Sequence, residues 1–144
     1  LEPWRFIVFE EKALKRLVEF IDRRGKQLDK APEKLLKTIT PFQTGAAMVA
    51  VVFSPKASIK IPEVEQMLSV GAVCLSLLNV ALASGWGANW LTDWIATDHV
   101  FLKQGLGLTD KEFVAGYLHI GTESIVPPER PRPNIDQITT WIGY

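Results

Sequence analysis

Apolar residues fall along this chain in two alternating periods and one uncharged block, and each predicts an element. Residues 4–9, Trp-Arg-Phe-Ile-Val-Phe, are aromatic and β-branched and predict a strand buried on both faces. From residue 11 to about 24, Leu14, Leu17, Val18 and Ile21 recur at helical spacing with charges between them. That is an amphipathic helix, ended by Gly25. A weaker helix is predicted from about Pro32 to Thr38, with Pro32 in its first turn. The uncharged run 46–53, closed by Ser54-Pro55, reads as a central strand.

Residues 66–92 carry no charge and are bracketed by Glu65 and Asp93. The part from about 62 to 84 is apolar all round a helix, with Gly85 as the C-terminal cap. Its length would suffice for a membrane span. Acidic flanks on both sides and Gln66, Ser69, Ser76, Asn79 and Ser84 along the helix argue instead for a central helix packed against protein on every side. One subunit of this size rarely hides such a helix, so a second copy is expected to cover part of it. Residues 85–94 read as a Gly-hinged, Trp-dense connector, and Thr97-Asp98 as the cap of a short helix reaching about Gln104. Residues 113–121 predict a strand whose glycines admit a close neighbour. The Pro-rich stretch 126–133 should run extended over a surface, and 137–142 have strand composition. No repeat or linker divides residues 1–144, which read as a single domain.

Composition narrows the function classes. Sixteen Lys and Arg balance sixteen Asp and Glu, so no overall field draws the chain to nucleic acid or to an anionic membrane. Cys74 is the only cysteine, which excludes a disulfide framework within the chain and favours a reducing, cytoplasmic setting. No metal-ligand spacing, Ser/His/Asp set, GxGxxG or phosphate-cradling Gly-Lys-Ser/Thr loop is readable. His99 and His119 read as structural. If the chain is an enzyme, an organic cofactor is expected to supply the reactivity. Two regions are left as candidates. The Trp-dense connector offers flat apolar walls for a planar heteroaromatic ring, or else Trp86, Trp90 and Trp94 finish the core. Arg130-Pro131-Arg132 offers two guanidiniums on a stiff backbone for a phosphate, or else two solvated arginines.

The order of pieces from Pro3 to about Pro133 resembles the FMN-dependent nitroreductase family, in its compact single-domain members. Pro3-Trp4-Arg5-Phe6-Ile7-Val8 is similar to the Pro-Trp opening of its first core strand. Residues 65–72 and 77–87 resemble the start and end of its central helix, and Asn89-Trp90-Leu91-Thr92 its Trp-centred turn. Residues 116–121 and Arg130-Pro131-Arg132-Pro133 match its last core strand and Pro/Arg tail. The resemblance implies an α+β, three-layer α-β-α fold, a mixed, mostly antiparallel sheet with a long buried central helix, and an intertwined homodimer with FMN at its interface. It implies hydride transfer from NADH or NADPH to FMN and on to a nitroaromatic, quinone or similar small acceptor, by a ping-pong mechanism with no catalytic side chain. By position, Trp90, Leu91 and Thr92 would line the flavin, and Arg132, with Arg130 second, would approach its phosphate. The alternative is a non-enzymatic member of the fold that binds a flavin or similar ring.

Two departures bear on this. A basic segment that the family carries upstream of the first core strand has no counterpart here, so the 144 residues are expected to fold and dimerise yet hold FMN weakly or not at all. Glu2 stands where the family usually has Gln, which sets a carboxylate against anionic reduced flavin.

Overall fold

The computed structural model describes residues 1–44 and 47–143. The elements are β1 (Trp4–Phe9), α1 (Glu11–Gln27), α2 (Pro32–Thr44), β2 (Ala47–Phe53), α3 (Glu63–Ala83), β3 (Gly87–Leu91), a 3-10 turn (Trp94–Ala96), a π-helical turn (Phe101–Gly105), β4 (Phe113–Gly121) and a short α4 (Ile135–Ile138). The strands form one sheet in the order β1-β2-β4-β3, and every described pairing is antiparallel. The mixed pairing implied by the resemblance is therefore not found among the described residues.

Two hydrophobic clusters, one on each face, make three layers. Leu14, Leu17 and Ile21 of α1 and Leu35, Ile39 and Phe42 of α2 pack with Met48, Ala50 and Val52 of β2. On the opposite face Val70 and Cys74 of α3 meet Val51, Phe53 and Leu118. The alternation along β2 is the period of two that a strand imposes. On β4 that alternation is broken, since Val114 and Tyr117 both face the α1/α2 cluster. The cause is a bulge: Val51 pairs with Gly116 and Val52 with Val114, leaving Ala115 unpaired.

Several elements differ from the sequence expectation for identifiable reasons. β1 is an edge strand, and Phe6 and Val8 are exposed rather than buried on both faces. Residue 46, predicted to open the second strand, lies outside the described residues. Gly25 does not end α1 but lies inside it, where a Cβ would collide with Leu35 of α2. α2 runs past Thr38 and through Pro41 to Thr44, its last turns braced by Thr40 and Thr44 hydroxyls that donate to the Leu36 and Thr40 carbonyls at 2.8 and 2.9 Å. The connector contains strand β3, and the tail 137–142 forms no strand.

α3 is long and apolar enough for a membrane span by length and composition alone. Its stripe Gln66, Val70, Cys74 and Ala81 is buried on the sheet. Val64, Leu68, Leu75, Val80 and Leu82 are exposed, so one copy of the chain does not bury this helix on every side. Gln66 secures its start, accepting from the Lys56 amide at 2.8 Å and donating to the Lys56 carbonyl at 2.9 Å.

The edge strand is tied across β2 to the start of β4 by Arg5, whose Nε and Nη2 donate to Glu112 at 2.7 and 3.1 Å. Glu112 also accepts from the Thr109 amide at 3.0 Å. The Arg5 hydrogen bond, opposed by desolvation, draws its carboxyl from 4.5 down to about 2. A depressed folded pKa means stability that is present above the ordinary carboxylate range and lost as pH falls toward about 2. Glu112→Gln should therefore lower stability near neutral pH by about 1–2 kcal/mol, the exposure of Arg5 discounting the value of a fully buried pair. Chemical denaturation at several pH values should show the variant with a shallower acid dependence than the parent. Parallel curves would refute this role for the pair.

Candidate functional site

The five residues of β3 and the two just after it line a groove whose other wall is α2. Among the described residues β3 pairs only with β4, in the register Asn89 with His119, Trp90 with Leu118 and Leu91 with Tyr117. The groove consists of two adjoining clefts. The larger, about 740 Å³, lies between the end of α2 (Thr40, Thr44), the start of β3 and the Pro-rich segment carrying Arg130 and Arg132. The smaller, about 350 Å³, is walled by Lys37, Thr38 and Phe42 of α2 and by Trp90, Thr92 and Asp93. Pro41, Leu91 and His119 line both. Volumes of this order suit a cofactor-sized molecule.

The five residues singled out in the sequence thus fall on one groove in two groups. Trp90 and Thr92 belong to the smaller cleft, Arg130 and Arg132 to the larger, and Leu91 joins them. Glu2 is exposed and lines neither. Trp90 is held by the bulge: its indole Nε1–H donates at 3.0 Å to the carbonyl of Ala115, the residue the ladder leaves unpaired. The ring lies so close over Gly116 that a Cβ there would overlap it. Arg132 is exposed, and its guanidinium is paired with Glu129 at 2.7 Å. With Glu123 also on the wall, two carboxylates offset the two arginines of the larger cleft.

Behind the smaller cleft a hydrogen-bond chain fixes the turn that follows β3. Asp93 takes a left-handed backbone, φ 65°, uncommon for a residue with a side chain. Its carboxylate accepts from the Trp94 amide at 2.7 Å and from the Thr38 hydroxyl. Thr38 in turn accepts from the Trp94 indole N–H at 3.2 Å. The buried Tyr117 hydroxyl donates to the Ile95 carbonyl at 3.1 Å, and burial pushes its ionisation far above the ordinary phenol range. Tyr117 is therefore a strut between β4 and this turn, and it stays un-ionised.

Sequence reasoning missed the α2 wall, since it ended that helix at about Thr38, and it read His119 as structural. His119 lies on the groove, its ring 6.1 Å from that of Phe42 and nearly perpendicular to it. Burial lowers its pKa and so favours the neutral ring. His119 follows Tyr117 at the strand period of two, so both rings face α2. Only the position of the bulge fixes that face.

Comparisons with known proteins place the fold. A family model described as the nitroreductase family matches residues 1–122. A Haemophilus influenzae protein assigned as an NAD(P)H nitroreductase is 29% identical over 124 residues, or 85% of this chain. The chain spans 66% of that relative's length. Among solved structures, a nitroreductase-like family protein from Bacillus cereus superposes with a TM-score of 0.71 at 23% identity, covering 97% of this chain and 73% of the other. A Desulfovibrio desulfuricans protein assigned as a nitroreductase, solved in complex with FMN, gives 0.73 at 17% identity, covering 99% and 73%. At these identities the two structures establish the shared fold.

The packing of Trp90 on Gly116 generates a prediction. Gly116→Ala should force the indole off the strand and break its bond to Ala115, destabilising the protein by about 1–3 kcal/mol. Fluorescence of a variant in which Trp90 is the sole remaining tryptophan should shift to the red on adding Gly116→Ala. Unchanged emission and stability would contradict the placement of the ring.

Proposed function

Because this chain belongs to the nitroreductase family, we propose that it is an FMN-dependent oxidoreductase. It takes hydride from NADH or NADPH and passes the electrons to a nitroaromatic, quinone or similar small acceptor by a ping-pong mechanism. The observation that carries this reading is the composite groove, apolar and aromatic at one end, edged by two arginines at the other, and continuous through Leu91 and His119. FMN has that shape in chemistry, a flat ring joined by a polyol to a phosphate. The name of the Haemophilus influenzae relative supports the nicotinamide donor, and the FMN in the Desulfovibrio desulfuricans protein supports the flavin.

The residues present fit the group. His119 lines both clefts, and its Nε2 is buried with no partner among the described residues, so the ring's other nitrogen is the one left to meet a ligand in the groove. Leu91, Thr92 and the main chain at Trp90 would border the ring, the Trp90 indole lying over Gly116 on the α3 face, and Arg130 and Arg132 would neutralise the phosphate once Arg132 releases Glu129. When bound, FMN supplies the two-electron chemistry. The protein's part is to hold and orient. Thr38 and Asp93 fix the end of β3, and Tyr117 fixes β4 behind it. The Asp93 carboxylate and the Tyr117 hydroxyl are both committed to structural hydrogen bonds, which leaves neither poised as a proton donor.

The same reading treats residues 1–144 as one domain, working as a cytoplasmic homodimer. Exposed Val64, Leu68, Leu75, Val80 and Leu82 on α3, with Trp141 and Ile142 on the C-terminal segment, supply the apolar surface that a second copy would cover.

Purified protein supplied with FMN should be yellow and should bleach anaerobically on addition of NADH or NADPH, the colour returning with a nitroaromatic or quinone. Protein that takes up no FMN, or takes it up and stays oxidised with both nucleotides, would contradict the proposal. Sedimentation should give twice the chain mass of 16.1 kDa at micromolar concentration. A stable monomer there would remove the dimer from the account.

A further inference from the structure

Where the two clefts meet, one polar atom has no counterpart. His119 Nε2 is buried and has no hydrogen-bond partner among the described residues, a rare condition for a buried polar atom. A neutral imidazole carries its single proton on one nitrogen or the other. An orphaned buried N–H is rarer, and costlier, than an under-satisfied acceptor. The lone pair therefore belongs on the buried Nε2 and the proton on Nδ1. The environment favours the neutral ring: burial disfavours the charged form, and the nearest aromatic neighbour is the edge-on Phe42.

The position of the ring says what an Nδ1 donor would meet. Trp90 and Thr92 line only the smaller cleft, and Arg130 and Arg132 only the larger, whereas His119 lines both. A ligand with its aromatic ring at one end and its anion at the other must pass its connecting chain across this residue. In FMN that chain is the ribityl polyol, whose hydroxyl oxygens accept hydrogen bonds from neutral donors.

We propose that His119 is a cofactor-contacting residue whose Nδ1–H donates a hydrogen bond to a ribityl oxygen of FMN. The proposal rests on the FMN reading above and deepens it. It gives the histidine a role that a buried structural side chain would not have, because it fixes one tautomer and one part of the ligand.

The test compares the full chain with His119→Leu, His119→Asn and His119→Gln, titrated with FMN, with riboflavin, which lacks the phosphate, and with lumiflavin, which lacks the polyol. An Asn amide nitrogen reaches the place of Nδ1, and a Gln amide nitrogen the place of Nε2. His119→Leu should weaken FMN and riboflavin about three- to tenfold. His119→Asn should recover most of that loss and His119→Gln should not, while lumiflavin should bind all four proteins alike. Ring ¹⁵N spectra of the FMN-free protein should show the Nδ1-protonated tautomer. Equal FMN affinity for parent and His119→Leu would overturn the assignment, as would rescue by Gln in place of Asn, an equal loss with lumiflavin, or an Nε2-protonated ring. A parent protein that binds none of the three flavins would instead defeat the FMN reading itself, and this assignment with it.

Discussion

A single unpaired residue in the sheet, Ala115, decides which side chains of β4 face the groove. The bulge shifts the side-chain alternation of β4 by one residue, which puts Tyr117 and His119 on the same face as Val114. Without it, Tyr117 would turn toward α3 and its hydroxyl would lose the Ile95 carbonyl. The bulge also frees the Ala115 carbonyl from the ladder to receive the Trp90 indole. Gly116, beside it, gives that indole room. One irregularity thus fixes an aromatic on each side of β4 and ties the exposed edge strand β3 to the sheet.

The layers give this device its purpose. α1 and α2 close one face of the sheet and α3 the other, but the cover over β3 and the end of β4 is incomplete, and the groove lies there. Its walls come from elements far apart in sequence: α2, the strand after α3, the last core strand and the Pro-rich segment. The Thr38–Asp93–Trp94 hydrogen bonds hold the first two of these in register. The strained φ of Asp93 persists because those bonds over-determine it. A rigid groove with few ionisable side chains committed to chemistry suits an enzyme whose cofactor carries the reaction.

Much of this was legible in the sequence, where periodicity or an ordered set of motifs carried it. The amphipathic spacing of Leu14, Leu17 and Ile21 located α1, and the uncharged run located β2. The motif order led to the family and to Leu91, which joins the two clefts. The illegible parts all depend on long-range partners. Residues 87–91, Gly-Ala-Asn-Trp-Leu, have weak strand propensity and become a strand because β4 offers an open edge. The second helix was expected to end at about Thr38, yet α2 continues through Pro41 to Thr44 with the Thr40 and Thr44 hydroxyls bonded back along it. The bulge has no compositional signature, and without it the face occupied by His119 could not be assigned. β1 was read as doubly buried from its apolar content, but edge position is a property of topology and not of composition.

The account stands on one placement, that of FMN in the groove between α2 and the β3–β4 edge. Hydrogen–deuterium exchange of the chain with and without saturating FMN tests it directly. Binding there should slow exchange in residues 38–44, 87–93, 117–121 and 128–132 together, while amides in the middle of α1 keep their rates. Protection that spares residues 87–93 and 117–121 would mean that FMN binds elsewhere, and would contradict the account.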